Sequence, residues 1–151
     1  MAEVYIGLKW LHIVAVCIAF GSNITHIFWI VAANRDAAHR ANILRLVKKI
    51  DDRLAVPAWA LATVCGVVMW LWQWPVNSPW IIASLVVTLI LTAMGIAFGP
   101  FMYQWIGLAK ESDPEHPSLQ VMSRRLTAWW IGITVATFIV LYLMVFKPAL
   151  W

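Results

Sequence analysis

The sequence predicts an all-α integral membrane protein, a four-helix bundle, and three observations carry that reading. Of 151 residues, 63% are hydrophobic and 12% charged, where a soluble domain has about 25% charged. Mean hydropathy is +0.81. Four runs are apolar over the ~20 residues that a hydrocarbon core of about 30 Å requires of a helix. What remains between them cannot hold a soluble domain, so residues 1–151 read as a single transmembrane domain.

The first run, Val4 to Ala33, lacks the short apolar core and small-residue cleavage site of a secretory signal. It carries Asn23 and His26, and it reads as a mature helix. The loop that follows, Asn34 to Arg53, repeats Ala37, Ala41, Leu44 and Val47 at helical spacing. It predicts an amphipathic helix along the membrane surface with its basic face on anionic lipid. The second run, Leu54 to Trp72, is preceded by Asp51 and Asp52, carboxylates that suit the positive end of a helix dipole. The third run, Trp80 to Leu108, contains Pro100, which removes a backbone hydrogen bond and predicts a kink. The turn-rich stretch ESDPEHPS (Glu111 to Ser118) places His116 in solvent, and the fourth run is Leu126 to Phe146.

Charge sets the expected orientation. Loop one holds six of the eleven Lys and Arg residues, the connection Gln73 to Pro79 none, and the connection Ala109 to Arg125 three. The positive-inside rule then puts loops one and three in the cytoplasm and both termini in the periplasm, in a bacterial inner membrane. The basic residues flank spanning segments rather than forming a patch, so the charge of +4 implies lipid contact and no nucleic acid. Trp70, Trp72, Trp74 and Trp80 crowd the outer end of helices two and three and read as an aromatic belt.

His12 and His26 hold the candidate chemistry. Fourteen residues separate them, roughly 21 Å and nearly four turns along a helix, so they share one face. Ala15, Val16, Ala19, Ser22 and Asn23 fall on that face, a small and partly polar stripe that turns toward the bundle interior. Two imidazoles at that spacing, with small residues between them, suit one haem b or two stacked haem layers. The other histidines, His39 and His116, are in loops, so methionine is the candidate second ligand. Met69 and Met144 are expected near the level of His12, Met102 near His26, and Met94 near the middle. The competing reading is that each histidine bonds a neighbouring helix and only packs.

Other chemistries have little support. Cys17 and Cys65 sit inside helices and read as small packing residues. The expected spans contain no Asp or Glu, which argues against a carboxylate-based proton pump. There is no phosphate loop, HExxH or nucleophile constellation, so an ordinary hydrolase is unsupported.

The stretch LKWLHIVAVCIAFGS (Leu8 to Ser22) resembles the first helix of a loose superfamily of small four-helix membrane proteins. Its members include HemJ-type protoporphyrinogen oxidases, the membrane domain of copper-resistance protein D, the membrane anchor of bacterial urate oxidases and an uncharacterised family of predicted integral membrane proteins. The shared pattern is matched by Lys9, Trp10, Leu11, His12 and Gly21. The stretch DDRLAVPAWALATVCGVVMW (Asp51 to Trp70) looks like the second helix of the uncharacterised family. The HemJ-type likeness implies a haem b ligand at His12 and does not extend to His26. The chain lacks the basic residues that the HemJ-type pattern carries later in helix one and within helix three, so the likeness does not carry over protoporphyrinogen oxidation.

Two function classes follow. The first is a haem b-binding membrane redox subunit, working with other membrane subunits or as a homo-oligomer. The second is a non-catalytic accessory or assembly subunit with structural histidines. A copper-handling role is a weaker third reading, because it would need several methionines or histidines to converge.

Overall fold

The computed structural model describes residues 2–111 and 117–149. The expected solvated position of His116 lies outside the described residues. Those residues form helix α1 (Ala2–Arg35), α2 (Arg40–Ile50), a π-helical segment (Asp51–Ala55), α3 (Val56–Gln73), α4 (Pro79–Glu111) and α5 (Pro117–Phe146), with no strand among them. Four helical stretches are long and apolar enough to cross a membrane, the shortest 30 residues and the longest 34. At 1.5 Å per residue these reach roughly 45–50 Å, so their ends extend beyond a ~30 Å hydrocarbon core.

A helix does follow helix one, as expected, but a turn separates it from α1 and it runs on into α3. Helical structure runs unbroken from Arg40 to Gln73, with the π-helical segment in its middle. Pro57 sits in the first turn of α3 and has no N–H for the carbonyl four residues earlier. The ladder changes register immediately before it. Asp51 and Asp52 therefore do not cap a helix start, because there is no free helix N-terminus at that point. Leu44 and Val47 are buried against the bundle, whereas Ala37 is exposed in the turn.

That turn is closed by Asp36. Its carboxylate accepts the His39 backbone N–H at 3.0 Å and faces the His39 ring nitrogen Nδ1 at 2.9 Å. The backbone donor at His39 is the main reason that the Asp36 carboxyl lies below its ordinary pKa.

α1 packs against α3 and α5, α4 packs on α5, and α2 bridges α1 to α4. α1 and α5 run antiparallel: Phe20 meets Phe138 edge to face at 5.0 Å, Asn23 bonds Thr137, and His26 stacks on Trp130. At the α2 end an apolar core joins Ile30, Leu44, Met102, Trp105, Leu126 and Trp130. At the opposite end Lys147 sits 4.6 Å from the ring centre of Trp74 and 5.5 Å from that of Trp80. This contact ties the chain's C-terminal end to the α3–α4 connection. α3 and α4 are consecutive, yet the bond from Trp59 Nε1 to Thr92 Oγ1, at 3.1 Å, is the described hydrogen bond between them. A cavity opens beside that bond.

Candidate functional site

The two α1 histidines lie in different surroundings. His12 is half-buried, and its ring nitrogen Nδ1 is 2.7 Å from the Ala62 carbonyl of α3. A carbonyl can only accept, so Nδ1 carries the proton and a neutral ring keeps its lone pair on Nε2. The ring sits on Gly66, where an added Cβ would come 3.1 Å from His12 Cε1. Ala62 and Gly66 are one turn apart on α3, so one supplies the acceptor and the other the room.

His26 is only 2% exposed. Its Nδ1 is 2.5 Å from the Ser22 carbonyl one turn earlier, and the ring stacks on Trp130 with centroids 4.4 Å apart. The same argument leaves Nε2 as an acceptor, and Nε2 has no hydrogen-bond partner. It borders a cavity of about 370 Å³, within the ~300–1,000 Å³ usual for small-molecule sites. Asp51 also lines it, with Oδ1 3.9 Å from His26 Nε2, too long for a hydrogen bond.

A second buried acceptor belongs to Asn23, which also lines this cavity. Thr137 donates its hydroxyl proton to the Ile133 carbonyl at 2.8 Å, so its oxygen can only accept. The Asn23 group at 3.3 Å from it must be the amide nitrogen. Asn23 Oδ1 is then left buried and without a partner. Leaving an acceptor unsatisfied costs about 1–3 kcal/mol, more than the ~0.6 kcal/mol average of a hydrogen bond between membrane helices. Gluing α1 to α5 therefore does not explain Asn23.

The cation at the cavity rim is already matched. Lys48 pairs with Asp52 and lies 5.0 Å from the Tyr103 ring centre, and the Tyr103 hydroxyl donates to Asp52 at 3.3 Å. Gly95 and Gly99 of α4 and Ala19 and Ala55 give the cavity room, while Trp59 and Trp130 supply aromatic wall. An added Cβ on either glycine would meet nothing within 4 Å.

The other sequence-nominated residues separate into two groups. Met102 is 1% exposed within the apolar core at the α2 end and does not line the cavity. Met69 and Met144 are half-buried. Met69 follows Gly66 by three residues on α3, and the α1–α5 register carries Met144 to within about one turn, ~5 Å, of His12's level. Among the described residues no three of His, Cys, Asp and Glu are grouped as a metal site.

Asp51, which local sequence places at a helix start, lines the cavity beside His26 instead. Its approach to His26 joins residues on different helices, and no local pattern marks it. Asn23 was visible as the polar residue of the histidine stripe.

A family model described as a predicted integral membrane protein (DUF2269) matches residues 6–148. No curated protein and no solved structure matches the chain.

Proposed function

The chain belongs to the family of predicted integral membrane proteins DUF2269, and on that footing we propose that it is a haem b-binding redox subunit of the membrane, with His12 as the axial ligand. The observation that carries this reading is the bond from His12 Nδ1 to the Ala62 carbonyl at 2.7 Å. Metal-bound imidazoles characteristically hold their second nitrogen on a carbonyl or carboxylate, which fixes the tautomer and aims the free lone pair. Gly66 seats the ring and restricts its rotation. When bound, haem supplies one-electron transfer, tuned by its axial ligands.

The chain's own residues have defined tasks in this account. α1 and α3 hold the imidazole in one orientation, and Met69 or Met144 supplies a thioether near the same level. The half-buried His12 ring leaves a side for a partner subunit or a second copy to cover. Met102 is a packing residue. This reading assigns no haem to His26, whose Nε2 has the Asp51 carboxylate 3.9 Å away. Nine of eleven basic residues lie in loops one and three, which supports termini in the periplasm of a bacterial inner membrane and His12 near that face.

A second reading, a non-catalytic accessory subunit, is favoured by the same bond taken alone, since His12 also ties α1 to α3 without any ligand. Absorbance separates the two. Protein purified from haem-replete cells should show a Soret band that shifts on dithionite reduction, and a colourless sample supports the accessory reading.

A further inference from the structure

Three residues that line the cavity beside His26 carry a buried polar atom without a partner: the acceptors Asn23 Oδ1 and His26 Nε2 and the donor Trp130 Nε1. Asn23 Oδ1 and His26 Nε2 belong to side chains 9% and 2% exposed, and neither atom has a partner. Both assignments follow from neighbours that can only accept. The Asp51 carboxylate completes the set, and the nearest lysine, Lys48, is taken by Asp52. Two carboxyl groups and one lysine line the site.

The walls specify the rest of the ligand. About 370 Å³ is far more than one water occupies, and apolar surface from Val56, Leu91, Phe98 and Ile133 would not hold water well. Trp59 and Trp130 add aromatic faces that favour a cation. The rim includes the exposed residues Asp52, Val56 and Ile96, so entry lies beside the thin α3–α4 contact.

We propose that this cavity binds a small organic amine in its protonated form, with its N–H groups donated to Asn23 Oδ1, His26 Nε2 and Asp51 and its apolar body against the aromatic wall. The proposal goes beyond the haem reading and rests on different residues, so either can fail alone. A quaternary ammonium has the charge without the donors. A neutral alcohol has one donor without the charge.

The test titrates the full-length, detergent-solubilised protein with phenethylammonium, its trimethylammonium analogue and 2-phenylethanol, following heat by calorimetry and the ¹⁵N resonance of His26 Nε2 by NMR. Phenethylammonium should bind about tenfold or more tightly than either analogue and should move the Nε2 resonance. The near-isosteric Asp51→Asn should weaken it by a similar factor while leaving the alcohol unchanged. Equal binding of all three probes, no binding, or an unmoved Nε2 signal would overturn the proposal, and these arms need no variant to fold. A haem-to-protein ratio near two, with one haem lost in His26→Ala, would also overturn it.

Discussion

His12 and Ala62, 50 residues apart in sequence, are joined by a 2.7 Å hydrogen bond across the α1–α3 interface, with Gly66 one turn further along α3 beneath the same ring. The arrangement holds a protonated Nδ1 against a carbonyl and leaves Nε2 free, and it makes the smallest side chain on α3 a condition of the imidazole's position.

Gly66→Ala should therefore act through His12. The new Cβ would stand 3.1 Å from Cε1 and 3.5 Å from Nδ1, so the ring must shift. Overpacking of this kind costs about 1–3 kcal/mol, set against the roughly 1 kcal/mol by which alanine exceeds glycine inside a helix. Thermal unfolding in detergent should fall, and in haem-loaded protein the Soret maximum should move. A variant with wild-type stability and spectrum would show that the ring is not held there.

Asn23→Leu should leave stability unchanged or raise it, because it removes an unsatisfied buried acceptor and adds apolar volume beside an open cavity. Thr137→Val should cost about 1–3 kcal/mol, because it strands the buried Asn23 amide N–H that the Thr137 oxygen accepts. Denaturant unfolding in mixed micelles reads both. A loss above about 2 kcal/mol for Asn23→Leu would make Asn23 a structural anchor after all.

The α1–α2 turn should loosen in acid. The Asp36 carboxyl lies below its ordinary value of 3.8 in the folded chain, chiefly through the His39 backbone N–H. A depressed carboxylate pKa contributes stability that is complete above the unfolded value and is lost as pH falls through the folded one. Exchange of the His39 amide should accelerate as pH drops below about 3.8 relative to the intrinsic rate, and Asp36→Asn should remove that pH dependence. Unaltered protection in acid would sever the turn from Asp36.

How far the sequence could be read differs between elements. The four spans were legible because a bilayer demands long uninterrupted apolar runs, and any such run is visible without tertiary information. The continuity of α2 with α3 was not. Asp51, Asp52 and Pro57 together imitate a helix start, and a π turn leaves no local composition that distinguishes it from one. In the site, His26 and Asn23 stood out as polar residues on a small-residue stripe. Asp51 did not, because its meeting with His26 depends on how α1 lies against the π-helical segment. Gly66 was equally silent, since its use is to make room for a ring 54 positions earlier in the chain.

Orientation is tested by two cysteines placed in a background with Cys17 and Cys65 changed to alanine. Val76 is 69% exposed between α3 and α4, and Asn42 is exposed on α2. With the termini outside, Val76→Cys should react with a membrane-impermeant maleimide in intact cells, and Asn42→Cys should react only after permeabilisation. The reverse pattern would turn the molecule over and move His12 to the cytoplasmic face.

The most direct test of the account is the haem content of purified wild-type protein beside that of His12→Gln, which keeps an N–H to offer the Ala62 carbonyl but is a poor iron ligand. The account predicts about one haem b per wild-type chain, with a Soret band that shifts on reduction. It predicts loss of most haem from a variant that still elutes as a folded, helical protein. An unchanged Soret band and ratio in His12→Gln, or colourless wild-type protein from haem-replete cells, would contradict it.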